Sequence, residues 1–177
     1  MLLSSNALAS IKTQDATILA QRMRLCTAAP ATVLFRAGST NTDFMVLVLE
    51  GEAVVENMDA GVREGMVLNV VRAGDLIGEM GVVANAPRSA RVTASCNMTL
   101  AVLTQTAFVQ LIEQRPEVAC SFLSSLLQST TNRLRESNRK LLTLTRINQS
   151  LFDELEASKQ NESNLAELFV SASHFEK

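Results

Sequence analysis

The chain of 177 residues contains no tryptophan, no tyrosine and a single histidine, His174. Metal centres in enzymes that are built on β-barrels need clustered histidines, so one histidine near the end argues against metal catalysis. The three cysteines, Cys26, Cys96 and Cys120, lie far apart and have no neighbouring base in sequence, which leaves a catalytic thiol unsupported. We therefore expect a protein that is not an enzyme and that holds no metal.

The chain also lacks an excess of basic residues and long apolar runs. Its formal net charge is -2, which argues against nucleic acid as its main partner. No stretch approaches the roughly 18 apolar residues of a membrane span, and the start has no basic region typical of a signal peptide. An odd number of scattered cysteines favours free thiols in a reducing compartment. These features predict a cytoplasmic protein with no membrane partner.

Glycine is confined to one block, since all seven glycines lie between Gly38 and Gly81, and neither glycine nor proline occurs after Pro116. In and just after that block, β-branched apolar runs alternate with Gly, Asn and Asp, which is typical of antiparallel strands joined by tight turns. The predicted strands are TVLFRAGS, FMVLVLEGEAVVEN, GMVLNVVRAGD, SARVTASC and MTLAVLT. The predicted fold class is mainly β with helices: an antiparallel jelly-roll β-barrel followed by a long C-terminal helix or coiled coil.

Three segments follow from these patterns. Residues 1–28 have a loose helical pattern and are predicted to form an N-terminal helical segment. Residues 29–115 are predicted to form the barrel, closed by a short helix that Thr104 caps. Pro116 suits the first turn of a new helix, so residues 116–177 are predicted to form the long C-terminal helix.

The apolar residues of this last segment fall on a heptad repeat, the pattern of a coiled coil. One seam position holds Leu127, Leu134, Leu141, Leu155 and Phe169, and its partner position holds Leu144, Leu151 and Leu165. Asn148 on the seam can set register, whereas Glu162 predicts a break or fraying of the helix. We expect two parallel helices to pair in a homodimer. The alternative is one amphipathic helix folded back on its own domain.

One stretch of the strand block, GEMGVVANAPRSARV at residues 78–92, places a glutamate and an arginine among small and apolar residues. Gly78 and Gly81 let the backbone around Met80 approach a bound group closely while its amides stay free to donate. The segment EMGVVAN is predicted to form one or two helical turns, whose first amides suit an anion. The stretch is therefore predicted to cradle an anion.

The two charged residues of this stretch have different predicted roles. Arg88 follows Pro87, whose fixed φ stiffens the approach, and a guanidinium is a planar donor fork that suits the oxygens of a phosphate. Glu79 cannot bind the same anion, but its carboxylate can accept a hydrogen bond from a ribose hydroxyl. The residue types alone thus indicate a phosphate–ribose clamp; the alternative is a pair of solvated surface charges.

These residues resemble the phosphate-binding cassette of the cyclic-nucleotide-binding domain family, which occurs in catabolite-activator-type regulators, protein kinase regulatory subunits and gated channels. The family's cassette runs Gly-Glu, an apolar stretch, then Arg, a small residue, Ala and a later Val. The matching residues are Gly78, Glu79, Met80, Gly81, Pro87, Arg88, Ser89, Ala90 and Val92. The resemblance covers roughly residues 30–138 and is specific, because the cassette follows several strands and precedes a pair of helices.

The resemblance implies a ligand and a role for each cassette residue. Arg88 is expected to contact the cyclic phosphate, and Glu79 the ribose 2′-hydroxyl. The assisting amides are expected near Gly78, Met80 and Ala90. Ser89 can donate to the phosphate or accept from a guanine amino group, so it does not separate cAMP from cGMP. The expected ligand is cAMP, with cGMP or a larger cyclic dinucleotide as alternatives.

In this family the purine meets the helix that follows the barrel. The polar residues available there are Ser129, Thr130, Thr131, Asn132 and Arg133. They are the expected base contacts; the alternative is a solvated or dimer-facing helix surface. An aromatic lid over the base would have to come from a phenylalanine such as Phe152 or Phe169, because the chain has no tryptophan or tyrosine.

This sequence departs from the family's regulators in one respect. Catabolite-activator-type regulators have a helix-turn-helix after the long helix, and residues 139–177 lack the length and the glycine turn for one. DNA binding is therefore not expected. We predict a cyclic-nucleotide sensor that signals through a dimeric helix to a separate, unidentified effector protein. The alternative is a non-enzymatic scaffold or oligomerisation module with a vestigial nucleotide site, which titration with cAMP would distinguish.

Overall fold

The structure is a computed structural model that describes residues 8, 10–57 and 66–172, with their side chains except those at 66, 160 and 162–172. His174 lies outside the described residues, as do the side chains of Glu162, Leu165 and Phe169. The chain divides into two compact units, Met1–Thr130 and Thr131–Lys177.

Within the described part of the chain, antiparallel strands form two four-stranded sheets. The strands are β1 (Arg24–Ala28), β2 (Val33–Phe35), β3 (Phe44–Glu50), β4 (Glu52–Asn57), β5 (Met66–Arg72), β6 (Leu76–Ile77), β7 (Arg91–Ala94) and β8 (Met98–Thr104). One sheet has the order β1-β8-β3-β6 and the other β2-β7-β4-β5. This confirms the predicted fold class, an antiparallel β-barrel followed by a long helix.

The helices are α1 (Thr13–Gln21), α2 (Glu79–Ala84), α3 (Gln105–Gln114) and α4 (Pro116–Ala172). Thr104 caps α3 as the sequence predicts, because its Oγ1 accepts from the Ala107 amide at 3.2 Å. No helix in the described ranges is both long and apolar enough to cross a membrane.

Two elements differ from the sequence-based expectations. Residues 24–28, which the sequence placed in a helical segment, form strand β1 and pair with β8 from Arg24–Val102 to Ala28–Met98. A strand partner 70 or more residues away leaves no trace in the local helical pattern. Helix α4 also runs through Glu162 without a break, because glutamate is a good helix former and one polar seam residue does not interrupt backbone hydrogen bonding. Residues 139–172 therefore form no helix-turn-helix.

The core lies on both sides of the sheet that contains β3 and β8. Between the two sheets, side chains such as Val48, Val71 and Val92 form one apolar cluster. On the other face, α1, α3 and the first turns of α4 pack in a second cluster that includes the fully buried Phe122. Phe122 meets Phe108 of α3 edge to face, with ring centroids 5.8 Å apart. The start of α4 is therefore part of the core.

Candidate ligand-binding site

The predicted cassette connects β6 to β7 through α2. Gly78 precedes the helix with a left-handed backbone, φ 81°, and Asn85 ends it with φ 49°. These two conformations turn the chain sharply at both ends of a six-residue helix. The short helix at EMGVVAN is thus confirmed, and the return of the chain brings Arg88 beneath it.

Arg88 is the central side chain of the site, and only 5% of its surface is exposed. Its Nε donates to the Asn41 carbonyl at 3.1 Å, Nη1 to the Gly78 carbonyl at 2.9 Å and Nη2 to the Phe44 carbonyl at 2.7 Å. All three nitrogens are therefore engaged. The side chain ties the cassette to the loop that precedes β3.

Two aromatic rings lie against the guanidinium of Arg88. Its carbon lies 4.1 Å from the centroid of Phe35 and 5.0 Å from that of Phe44. Because Phe35 ends β2 and Phe44 begins β3, the rings come from the two different sheets. Ring faces attract cations most strongly where water is excluded, so this pair stabilises the buried charge.

Burial lowers the pKa of Arg88 because desolvation disfavours the charged form, while the carboxylates of Asp43 and Glu79 act in the opposite direction. The ordinary pKa of arginine is so high that the guanidinium stays charged at neutral pH. The site therefore holds a buried cation within electrostatic reach of two carboxylates. Such a cation is suited to recognising an anion that approaches from the solvent side.

Gly78 and Gly81 face the same guanidinium. A Cβ on Gly78 would lie 2.6 Å from Nη1 of Arg88 and 2.8 Å from Cζ of Phe35. A Cβ on Gly81 would lie 2.9 Å from Nη1 and 3.1 Å from Cβ of Thr42. The sequence predicted that these glycines admit a bound group. In the structure they make room for Arg88.

Gly78→Ala is expected to destabilise the fold more than Gly38→Ala. Both positions have positive φ, at 81° and 73°, so both variants carry a backbone cost of about 1–2 kcal/mol. Only Gly78→Ala adds overlap with Arg88 and Phe35, which costs roughly a further 1–3 kcal/mol. A Cβ on Gly38 would meet no atom within 4 Å among the described residues beyond its chain neighbours. Urea denaturation of both variants measures the difference, and equal losses would show that the close packing is relieved without cost.

The other predicted cassette residues surround this buried centre. Met80 is 57% exposed, and Pro87 and Ser89 are also exposed, whereas Glu79 and Ala90 are half-buried. The structure thus brings Gly78, Gly81 and Arg88 into direct contact. It leaves Met80, Pro87 and Ser89 exposed to solvent, whereas Val92 packs in the apolar cluster between the sheets.

The predicted base contacts Thr130, Thr131, Asn132 and Arg133 are consecutive residues of α4. Thr130 Oγ1 donates back to the Leu126 carbonyl at 2.9 Å. Successive helix residues are about 100° apart around the axis, so four in a row cannot all face one ligand. Which of them touches a base stays a prediction.

Sequence reasoning missed the loop that receives Arg88. Asn41 and Phe44 supply two of its three acceptors, and each lies more than 40 residues from it in sequence. Backbone carbonyls exist at every residue, so no residue type marks them as acceptors. The only sequence signal was Arg88 itself, an arginine between apolar and small residues.

An open pocket of about 540 Å³ lies beside the start of β3. It is lined by Asn41, Asp43, Phe44, Val102, Thr104 and Thr106. This described lining contains one carboxylate and no cation, so it disfavours an anionic ligand.

The chain belongs to the cyclic nucleotide-binding domain family, whose match covers residues 25–115. This is a family of regulatory domains. Membership agrees with the barrel and with the cassette whose geometry is described above. No curated protein matches the chain.

Solved structures show the same relationship. A cyclic nucleotide-binding domain from Methylobacillus flagellatus is 31% identical, with a TM-score of 0.70 over 77% of this chain and 79% of that one. The Thermus thermophilus catabolite activator protein is 22% identical, with a TM-score of 0.65 over 80% and 63%. The regulatory domain of Toxoplasma gondii PKA, solved with cAMP, is 22% identical, with a TM-score of 0.60 over 74% and 47%. The last two similarities concern the fold alone.

Proposed function

We propose that the protein is a cyclic-nucleotide sensor that binds cAMP at the cassette and signals through a dimeric α4 to a separate effector protein. Family membership supports the ligand class. The observation that carries the proposal is the buried Arg88 guanidinium, held at the cassette by three carbonyls with Glu79 close enough to influence its pKa. The Toxoplasma gondii domain that shares the fold was solved with cAMP, which supports the choice of purine.

The geometry of Arg88 leaves capacity for a ligand. A guanidinium has five N–H donors, and the three carbonyls use one on each nitrogen. The two remaining N–H groups belong to Nη1 and Nη2, and we propose that they donate to the cyclic phosphate. Exposed Ser89 and the amides near Ala90 would supply further donors. The phosphate charge would then compensate the buried cation without breaking its links to the protein.

Glu79 is proposed to bind the ribose. It is the first residue of α2 and half-buried, and beside a phosphate its carboxylate alone would only repel the ligand. A hydrogen bond accepted from the 2′-hydroxyl offsets that repulsion and selects a ribonucleotide. The cassette would therefore bind the phosphate through Arg88 and the ribose through Glu79.

Isothermal titration calorimetry with cAMP, cGMP and cyclic di-GMP tests the proposal, with 5′-AMP as a control for the cyclic phosphate. We expect cAMP to bind tightest. Glu79→Gln and 2′-deoxy-cAMP should each weaken binding by about tenfold to a hundredfold, and together by less than the product of the two effects. Glu113→Gln on α3 makes the same chemical change outside the cassette and should leave affinity unchanged. Strict additivity of the two losses would show that Glu79 and the 2′-hydroxyl do not meet.

A second candidate function is a scaffold whose cassette is a structural element only. The observation that favours it is that every nitrogen of Arg88 already has a protein acceptor. Under this hypothesis the cassette is complete without ligand, and none of the three cyclic nucleotides gives heat above dilution. The same titration therefore separates the two functions.

We propose a non-enzymatic protein, in keeping with the regulatory character of the family. We place it in the cytoplasm because Cys26 and Cys120 are exposed free thiols, which persist best in a reducing compartment. The sensor pairs with a second copy through α4, acts on an effector protein and has no nucleic acid partner.

A further inference from the structure

Three exposed arginines form a ridge on α4, on the side of the helix away from its apolar seam. Arg135, Arg139 and Arg146 are all exposed, and they lie within roughly 40° of one another around the axis and along about 16 Å of its length. We call them the arginine ridge. Seam residues such as Leu144 and Leu151 point roughly 140–160° away from it. The ridge therefore faces solvent whether or not the seam is covered.

The arginine ridge has no counter-charge on α4. Side chains on a helix pair with residues three or four places away, and Glu136 is the one acidic residue at such a distance from any of the three arginines. Glu136 pairs with Lys140 at 3.1 Å, and among the residues that the structure describes the ridge arginines form no ion pair. Arg135 and Arg139 are themselves four residues apart, a spacing at which like charges destabilise a helix. Compensation of this charge has to come from another molecule.

The basic residues of α4 are concentrated in one part of the helix. Residues 131–146 contain five basic residues and one acidic residue, whereas residues 147–172 contain five acidic residues and one basic residue. Asp153 follows the arginine ridge on the same side of the helix. An anionic partner is therefore attracted along the ridge and repelled beyond it, which confines the contact to the ridge.

Leu142 lies among these arginines and is not a seam residue. Its side chain is 62% exposed, and the helical repeat places it within about 60° of each ridge arginine. An apolar centre with a polar rim is the usual arrangement of a protein–protein contact. A partner with an apolar side chain at the middle of its contact surface removes Leu142 from water.

We infer that the arginine ridge, with Leu142 at its centre, is the docking surface for an acidic helical segment of the effector protein. The inference rests on the proposed function for the existence of an effector, and it depends neither on nucleotide binding nor on how the seam is covered. A guanidinium fork binds a carboxylate through two parallel hydrogen bonds. Carboxylates on one face of a helix, spaced like the ridge, meet all three arginines, and an apolar residue between them contacts Leu142.

Two other polyanions fit the arginine ridge less well. A nucleic-acid backbone offers phosphates but no apolar group for Leu142, and its affinity through so few phosphate contacts falls as the salt concentration rises. An anionic membrane binds an amphipathic helix by burying its apolar face. It would bury the seam and turn the ridge away from the headgroups. The acidic residues after Arg146 repel both, so a protein segment is favoured.

Fluorescence anisotropy of labelled probes with the full-length protein tests this surface. The main probe is a synthetic helical peptide of about 18 residues, with three glutamates and one leucine on one face at the spacings of the ridge. A control peptide has glutamine in place of the three glutamates. At about 50 mM salt we expect the glutamate peptide to bind at least about tenfold more tightly than the control, and about 0.5 M salt to remove most of that difference.

Arg139→Glu and Lys140→Glu form a matched pair of variants. Both reverse one charge close to Glu136 and change the net charge of the chain equally, but only Arg139 belongs to the ridge. Arg139→Glu should weaken binding of the glutamate peptide about tenfold, whereas Lys140→Glu should change it by less than about twofold. Leu142→Ser should weaken it roughly threefold. Equal effects of the two charge reversals, or no binding of the glutamate peptide by the unaltered protein, would overturn the inference.

Two competing probes decide between classes of partner: a DNA duplex of about 20 base pairs, and phosphatidylcholine vesicles with about 30% phosphatidylserine. If either bound more tightly than the glutamate peptide and lost its affinity in Arg139→Glu alone, the ridge would serve that polyanion and the protein segment would be refuted. Titration with cAMP judges the proposed function separately. Arg139→Glu should bind cAMP like the unaltered protein, and an unaltered protein that binds the peptide but no cyclic nucleotide would refute the sensor and not the ridge.

Discussion

Arg88→Leu is expected to abolish measurable cAMP binding and to lower the free energy of unfolding by about 3–5 kcal/mol. The stability loss arises because the side chain is buried and satisfies three carbonyls from two segments of the chain. Leucine would leave those carbonyls without their donor and would remove the cation between Phe35 and Phe44. The binding loss arises because the phosphate would then have no buried counter-charge.

Urea denaturation and calorimetric titration at 25 °C measure the two losses separately. Arg88→Lys keeps the charge but lacks the planar fork, so it should fold better than Arg88→Leu and still bind cAMP at least about tenfold more weakly. Arg91→Leu is the matched control, because its Nε has no hydrogen-bond partner among the described residues. If Arg88→Lys bound cAMP with unchanged affinity, the geometry of the guanidinium would not matter for the ligand. A folded Arg88→Leu protein with full affinity would remove Arg88 from the site.

Ending the chain after Arg115 is expected to prevent the barrel from folding, whereas ending it after Thr130 should leave it folded and monomeric. The first turns of α4 contribute the buried side chains Val118, Ala119, Phe122, Ser125 and Leu126. Loss of a buried Phe or Leu side chain costs about 2–5 kcal/mol, so losing all of them approaches the total stability of about 5–15 kcal/mol of a typical domain.

Circular dichroism during thermal unfolding distinguishes the two truncations. The chain ending at Thr130 should retain a cooperative transition and give a monomer mass in light scattering. The chain ending at Arg115 should give no cooperative transition. If it melted cooperatively near the temperature of the longer truncation, the contacts of Phe122 with Phe108 and its neighbours would be dispensable for the fold.

The position of the cassette could be predicted from the sequence because its chemistry is carried by residue types at short range. A glycine–glutamate pair and a proline–arginine pair within 11 residues define charges and turns that do not depend on distant contacts. The strands from Thr32 onwards were predictable for a related reason, since alternating β-branched runs and turn residues are local patterns. The heptad that continues through α4 is also local, as is the cap at Thr104.

The direction in which Arg88 points depended on the tertiary structure. Its acceptors on Asn41 and Phe44 are backbone carbonyls brought close only when β3 packs beside the cassette. The sequence explained Gly78 as making room for a ligand, whereas in the structure the missing side chain makes room for the Arg88 guanidinium. Strand β1 was missed for the same reason, because pairing with β8 is a contact between distant parts of the chain.

The sequence by itself thus determined the fold class and the family, and it placed the candidate site at the cassette, because these depend on local periodicity and on residue chemistry. The tertiary structure alone decided that Arg88 is buried against carbonyls, that residues 24–28 extend a sheet and that α4 begins inside the core. Each of these depends on burial and on hydrogen bonds between segments far apart in sequence. Desolvation and packing energies become defined only when those segments meet.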